Sequence, residues 1–381
     1  MSEWAGSRES CWAEVDLDAI KGNVAAAARV SGTSVMAVVK ADAYGHGAVP
    51  VARAALEGGA TWLGVARAGE ALELRAAGLG APVLLLGYTP PDAVGELLAA
   101  DVSLTVWSPA HLDAVAAASR ATARGAGVHV KIDTGMNRVG VDPDAAPELV
   151  RRVLAAESVE LQGIFTHFAC ADEADPASGV TAVQQARFAG VLAALEPSFA
   201  RLDAAGVARP LIHASNSAAT LAVPSAAHDL VRFGIAMYGL SPGAAVPLPA
   251  SIRPALAWKT VIARIAEVPA GEGISYGHTY HPSARQRIGT LPVGYADGWR
   301  RTSGQQVLVG GRRVPVVGRV CMDQCMIDLD SVPQARVGDE VVLIGAQGGE
   351  QLTADDVAAR WGTIGYEVVC GIAARVPRYP V

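Results

Sequence analysis

A chain of 381 residues, 51% of them hydrophobic, is too long for one small domain and suits a barrel of roughly 250 residues with a smaller partner. Its 31 Lys and Arg against 37 Asp and Glu leave a net charge of −6, which argues against a nucleic-acid or polybasic membrane surface and for a small-molecule partner. No apolar run of about eighteen residues occurs and residues 1–10 are too polar for a signal peptide, so a cytoplasmic protein is expected. Five cysteines, Cys11, Cys170, Cys321, Cys325 and Cys370, contain no C-x-x-C pair, so neither a disulfide framework nor a metal site is indicated.

Taken in chain order, residues 12–17 alternate like a strand that either opens a barrel or pairs with a later β domain. Apolar runs follow at 35–40, 62–67, 82–87, 103–107, 128–133, 161–168, 211–215 and 229–234. Between them lie Ala- and Leu-rich helical segments such as 109–123, where Pro109 stands near the first helical position and Ser108 is placed to cap it. Near-continuous apolar strands separated by helices are parallel strands covered on both faces, and eight such units predict an α/β fold, a (β/α)8 barrel over 12–240. A doubly wound open sheet is the alternative. After Tyr238 a turn-rich linker runs through Gly239-Leu240-Ser241-Pro242-Gly243 to Pro249, and short β-type runs follow at 259–268, 287–293, 306–309, 314–320 and 340–344. These predict a mainly β domain over 250–381.

In a parallel barrel the chemistry sits at the C-terminal ends of the strands. The first run closes in Val39-Lys40-Ala41-Asp42-Ala43-Tyr44-Gly45. A lysine leaving an apolar strand is partly desolvated, which lowers its pKa and makes a neutral amine available for Schiff-base chemistry. Later runs close in Lys131-Ile132-Asp133-Thr134-Gly135-Met136-Asn137-Arg138, Thr166-His167, His213-Ala214-Ser215-Asn216-Ser217 and Arg232-Phe233-Gly234-Ile235. Five polar ends thus converge on one mouth.

These motifs resemble the alanine racemase family, a pyridoxal 5'-phosphate fold in which an eight-stranded barrel precedes a β domain. Further matches, in order, are Ser275-Tyr276-Gly277, Gly294-Tyr295-Ala296-Asp297-Gly298, Cys321-Met322-Asp323-Gln324 and Trp361-Gly362-Thr363-Ile364-Gly365-Tyr366-Glu367. The resemblance covers nearly the whole chain. It implies that Lys40 carries the cofactor and serves as one catalytic base. Tyr276 is implied as the second base, reaching in from the other subunit of a homodimer with shared active sites. Cofactor contacts are implied for Tyr44, His167, Asn216, Ser217, Arg232, Gly234, Ile235 and Tyr366. The hydroxyl of Ser217 and the backbone N–H groups of Gly234 and Ile235 would meet the phosphate, as barrels commonly arrange after their last two strands.

Arg232 is implied to face the pyridine nitrogen. A guanidinium, with pKa above about 12, does not protonate that nitrogen as an aspartic acid would. The ring then stays a weak electron sink, so proton return to Cα outcompetes transamination and decarboxylation. Arg138 is implied to grip the substrate carboxylate with its planar fork, assisted by the backbone N–H of Met322. Lys131 matches a position that some relatives carbamylate to orient that arginine.

Three positions depart from the commonest family pattern: Asp42 for asparagine, Asn137 for glycine, and Gly365 for the asparagine before Tyr366. None removes a catalytic group, though Gly365 loosens the backbone beside a phosphate donor. The expectation is an isomerase that interconverts L- and D-alanine for peptidoglycan precursors. Its rivals are a serine or broad-specificity racemase of the same fold, a non-catalytic pyridoxal-phosphate protein, which Tyr276 and the β domain oppose, and a decarboxylase of basic amino acids, which Arg232 opposes.

Overall fold

The computed structural model describes residues 9–175 and 178–381. The described residues fall into two compact units. A barrel unit comprises Asp18–Ala43 and Ala48–Arg253, and a β unit comprises the described residues up to Leu17, Tyr44–Gly47 and Pro254–Val381.

The first strand, β1 (Cys11–Val15), belongs to the sheet of the β unit. The barrel then runs through β2 (Ser34–Val38), β3 (Trp62–Val65), β4 (Val83–Leu85), β5 (Val102–Val106), β6 (Ala126–Lys131), β7 (Val159–Phe165), β8 (Leu211–His213) and β9 (Leu230–Phe233). These eight pair in parallel in the order β8-β7-β6-β5-β4-β3-β2-β9. The seam between β8 and β9 is held by two backbone bonds, Asp229 N–H to the Ile212 carbonyl at 3.0 Å and Arg232 N–H to the Ser215 carbonyl at 2.9 Å. The sheet is therefore a nearly closed barrel rather than the open sheet of the alternative reading.

Its strands are largely buried because both faces are covered; all five residues of β5 are buried, Ser103 and Thr105 included. Met36, Leu84 and Leu230 form one buried cluster, with Trp62, Leu86 and Leu211 packed on it. Truncating any one of those three leucine-sized groups to alanine would cost about 2–5 kcal/mol. The helix Pro109–Thr122 starts where its sequence indicates: the Ser108 hydroxyl accepts the His111 N–H at 3.2 Å, with proline in the first turn.

The β unit adds β10 (Leu256–Val261), β11 (Arg264–Val268), β12 (Gln286–Leu291), β13 (Gln306–Val309), β14 (Arg312–Val317), β15 (Cys325–Asp328), β16 (Glu340–Gln347), β17 (Glu350–Leu352) and β18 (Arg378–Pro380). With β1 they make a ten-stranded sheet ordered β11-β12-β15-β14-β13-β16-β10-β1-β18, with β17 on β16. β1 is antiparallel to β10 and parallel to β18.

Two details correct the sequence reading of this unit. The run 259–268 is two strands, because Ile262 N–H bonds the Asp339 carbonyl and Ala263 N–H bonds the Thr290 carbonyl, so the chain changes partners there. Strands β15, β17 and β18 lie outside the runs read from sequence: each is three or four residues long and is ordered by its partners, β15 by β12 and β14, β17 by β16 and β18 by β1. Residues 44–47 count with this unit because Gly45 lies against its last helix, where a Cβ would stand 2.3 Å from the Val369 carbonyl oxygen, and because Arg378 Nε donates to the Gly45 carbonyl at 3.0 Å.

Candidate active site

Lys40, half-buried, stands two residues beyond β2 and opens a turn of unusual hand. Ala41, Asp42, Ala43 and Tyr44 have φ of 53°, 52°, 51° and 53°, and Gly45 continues at 80°. Four consecutive non-glycine residues thus lie in the left-handed helical region, at a cost of about 1–2 kcal/mol each. Three hydrogen bonds hold them there. Ala41 N–H donates to Glu70 Oε1 at 2.7 Å, Ala43 N–H to the Val39 carbonyl at 2.9 Å, and Ala48 N–H to Asp42 Oδ1 at 2.7 Å. Glu70 is itself fixed, its Oε2 accepting from Ala66 N–H at 2.7 Å and Arg67 N–H at 3.0 Å. The carboxylate of Asp42 is thus an acceptor that ties down the turn carrying the lysine.

Arg232, at 3% exposure, lies inside the barrel. Its Nη2 donates to the carbonyls of Thr166 and Ala214, each at 2.7 Å, and lies 3.1 Å from His167 Nδ1, while its Nη1 lies 2.9 Å from His213 Nδ1. The Phe165 ring centroid is 5.3 Å from the guanidinium carbon. Every acceptor is neutral. Burial, then the Arg138 charge, pushes its pKa down to about 9, so it stays cationic at neutral pH. Because a guanidinium only donates, both imidazole Nδ1 atoms must accept, and both rings are neutral. Burial first, and the Arg232 charge second, hold His167 and His213 well below the ordinary histidine range.

Four of the residues that the sequence suggests for a phosphate, Asn216, Ser217, Gly234 and Ile235, lie just after β8 and β9. Asn216 caps the helix Ser217–Ala222, its side-chain oxygen accepting Ala219 N–H at 3.0 Å and its amide donating to the Phe168 carbonyl at 3.3 Å. The Ser217 hydroxyl, buried, accepts Gly234 N–H at 2.9 Å and Ala236 N–H at 3.4 Å. The N–H of Ile235, buried at the start of the one-turn helix Ile235–Tyr238, meets no acceptor among the described residues. A buried donor of this kind beside a hydroxyl is suited to an anion.

Lys131 ends β6 at 5% exposure, 5.8 Å from the Phe165 ring centroid. Burial, then the Arg138 and Arg232 charges, lower its pKa to about 7. Arg138 itself is exposed, and no carboxylate pairs with it among the described residues.

Within the β unit, the buried Tyr44 and half-buried Tyr366 rings lie 6.3 Å apart at 53°. Burial raises the Tyr44 pKa well above the ordinary phenol value, so it remains a donor. Tyr276 sits in a one-turn helix after Ser275 and is 69% exposed; Met322 is 54% exposed. The loop carrying Met322 is clasped by Gly294–Gly298. Tyr295 N–H bonds the Cys321 carbonyl at 3.1 Å and Ala296 N–H the Met322 carbonyl at 3.0 Å, and a Cβ on Gly294 would stand 2.3 Å from the latter oxygen.

Sequence reasoning missed three groups at this site. Glu70 carried no signal, because its role depends on backbone N–H groups that only the fold delivers. Gln184, 1% exposed, donates to the His167 carbonyl at 3.0 Å from the helix Val180–Ala204 and so fixes that residue. His129 was legible in principle, since it precedes Lys131 by two residues and shares its face of the strand.

A parallel barrel whose strand ends gather a lysine, an anion-ready hydroxyl and backbone donor, and a buried guanidinium without a carboxylate, linked in sequence to a β domain with exposed tyrosine and methionine, defines a class: the barrel-plus-β-domain enzymes. Residues 15–242 match the alanine racemase N-terminal domain and residues 255–380 the alanine racemase C-terminal domain. The alanine racemase of Desulfovibrio desulfuricans is 46% identical over 371 residues, 96% of this chain and 97% of that one. That of Symbiobacterium thermophilum is 47% identical over 371 residues, 97% and 96% of the two chains. The crystal structure of alanine racemase from E. faecalis superposes with a TM-score of 0.91 at 40% identity over 99% of both chains. Alanine racemase from Bacillus anthracis with bound L-Ala-P gives 0.90 at 42% identity over 99% of this chain and 96% of that one. The chain belongs to the alanine racemase family.

Proposed function

We propose that this protein is an alanine racemase, interconverting L-alanine and D-alanine with pyridoxal 5'-phosphate. The observation that carries the reading is the guanidinium of Arg232, buried against neutral acceptors only. Pyridoxal phosphate, when bound, supplies the aldehyde that joins the substrate amine and the ring that acidifies the Cα proton. Lys40 would hold it covalently. Ser217 and the N–H groups of Gly234 and Ile235 would hold its phosphate with the phenols of Tyr44 and Tyr366, while Asn216 and His167 line the same site. Facing the ring, the Arg232 guanidinium would donate without surrendering a proton and would so leave the ring a weak electron sink, which would favour proton return over competing reactions.

Racemisation needs a proton acceptor on each face of Cα. The Lys40 amine serves one. Tyr276 of the partner subunit serves the other, in a homodimer with shared sites; its 69% exposure in a single chain is what such sharing leaves. A phenol is a poor base at neutral pH unless its anion is stabilised. His167 can do this, because with Nδ1 accepting from Arg232 its proton must lie on Nε2, free to be donated. Arg138 and the Met322 N–H from the partner subunit bind the substrate carboxylate. Lys131, with its pKa near 7, does not fully oppose Arg138 and offers the unprotonated amine that carbamylation by carbon dioxide requires.

The bulk of Tyr366 and Met322 favours a small substrate over serine or a broad range. A cytoplasmic role supplying D-alanine for cell-wall precursors fits this activity. Incubating the purified protein and pyridoxal phosphate with a panel of L-amino acids, then resolving enantiomers by chiral chromatography, tests the reading. D-alanine should form fastest. Faster D-serine formation would select the serine racemase, and no D-enantiomer from any member would refute racemisation.

A further inference from the structure

Behind Arg232 lies a chain of imidazoles that the proposed mechanism does not use. His213 Nδ1 accepts from Arg232 Nη1, so the His213 proton sits on Nε2, which lies 2.9 Å from His129 Nδ1. His129 must then accept at Nδ1 and carry its own proton on Nε2. Each orientation is forced by the one before it, starting from a guanidinium that has no acceptor atom. Both rings are fully buried.

The fold makes room for this arrangement. His129 on β6 pairs with Gly163 on β7, and a Cβ at Gly163 would stand 2.1 Å from His129 Nδ1. Any other residue there would expel the ring. Phe165 stacks on His213 with centroids 4.6 Å apart and planes at 6°, and Trp62 meets His129 edge-on at 5.2 Å and 76°. The far nitrogen, His129 Nε2, finds no hydrogen-bond acceptor in this apolar surround. Burial, then the Arg232 charge, pushes His129 down to about 3. The relay thus starts on a fixed cation and ends against an aromatic wall.

We propose that His129 is a positioning residue of the racemase site: it holds His213 in the one tautomer that accepts from Arg232, and so fixes the guanidinium without neutralising it. The inference rests on the reading of Arg232 as the group that faces the cofactor ring. Without an acceptor at His129, the buried His213 Nε2–H is left unsatisfied. The ring then gains by rotating or changing tautomer, and either change would withdraw its acceptor from Arg232.

The test is nitrogen NMR on the full chain as purified, with histidine selectively 15N-labelled, beside steady-state kinetics. His213 and His129 should each show an accepting Nδ1 and a protonated Nε2, unchanged from about pH 5 to about pH 8. His129→Asn, whose carbonyl oxygen replaces the lost acceptor, should keep the His213 pattern. His129→Leu should abolish it and lower kcat by about tenfold, the scale of losing a hydrogen-bonded outer-shell partner, with KM nearly unchanged. A protonated Nδ1 on His213 in the unsubstituted protein, or titration of either ring in that range, overturns the proposal. So does a His129→Leu variant with the His213 pattern and kcat intact. The wild-type spectrum decides the relay even if the leucine variant does not fold. It is read without turnover, so it also stands apart from the outcome of the amino-acid panel.

Discussion

Replacing Ala41 by glycine should stabilise this protein, although the same change in an ordinary helix does the opposite. Ala41 is exposed, so its methyl group contributes little packing, and its φ of 53° sets that group against the following carbonyl. Removing the Cβ should return about 1–2 kcal/mol of left-handed strain. Glycine also loosens the unfolded chain, which takes back about 0.4–1 kcal/mol. The net gain is about 0.5–1 kcal/mol, or about 1–4 °C in the unfolding midpoint of a unit this size. Ala194, exposed in the interior of the right-handed helix Val180–Ala204, is the control, and Ala194→Gly should destabilise by about 0.5–1 kcal/mol. Scanning calorimetry of the full chain compares the two. If both substitutions lower the midpoint, the turn after Lys40 is not left-handed and the strain argument fails.

Glu70→Ala removes the acceptor of the Ala41, Ala66 and Arg67 N–H groups and should cost about 1.5–3 kcal/mol, the scale of one charge-assisted bond, because Ala41 and Arg67 are exposed and water can replace the acceptor there; amide exchange at Ala41 should accelerate, and unchanged exchange would deny Glu70 its role. Lys131 has a folded pKa lowered from 10.5 to about 7, so between those values the unfolded chain binds more protons and stability should rise with pH. Lys131→Met should flatten that rise and gain up to about 5 kcal/mol below about pH 7, and parallel pH-stability curves for the two proteins would refute the shift. Lys40→Ala and Tyr276→Ala should each be nearly inactive, yet their equal mixture should recover roughly a quarter of native activity, because half the dimers are mixed and each mixed dimer holds one complete site; no recovery despite demonstrated subunit exchange would exclude shared sites.

What the sequence determined by itself was whatever local pattern encodes. Near-continuous apolar runs such as residues 35–39 specify strands buried on both faces, and Ser108-Pro109 specifies a helix start, because side-chain burial and capping act over a few residues. The polar residues that close those strands mark a candidate site, and Lys40, Lys131, His167, Ser217 and Arg232 stand out as candidates for that reason.

What only the tertiary structure decided depends on partners far along the chain. Nothing in Ala41-Asp42-Ala43-Tyr44 marks a left-handed turn; its hand is set by Glu70, on a different helix, and by the close approach of Gly45 to Val369. The split of 259–268 into two strands follows from a change of hydrogen-bond partner, which no periodicity records. The tautomers of His213 and His129 follow from an arginine 19 residues from one ring and from the 84 residues that separate the two. Hydrophobic periodicity is a property of neighbours in sequence, whereas backbone hand, strand partner and proton position are each fixed by a donor or acceptor that folding alone brings within 3 Å or so.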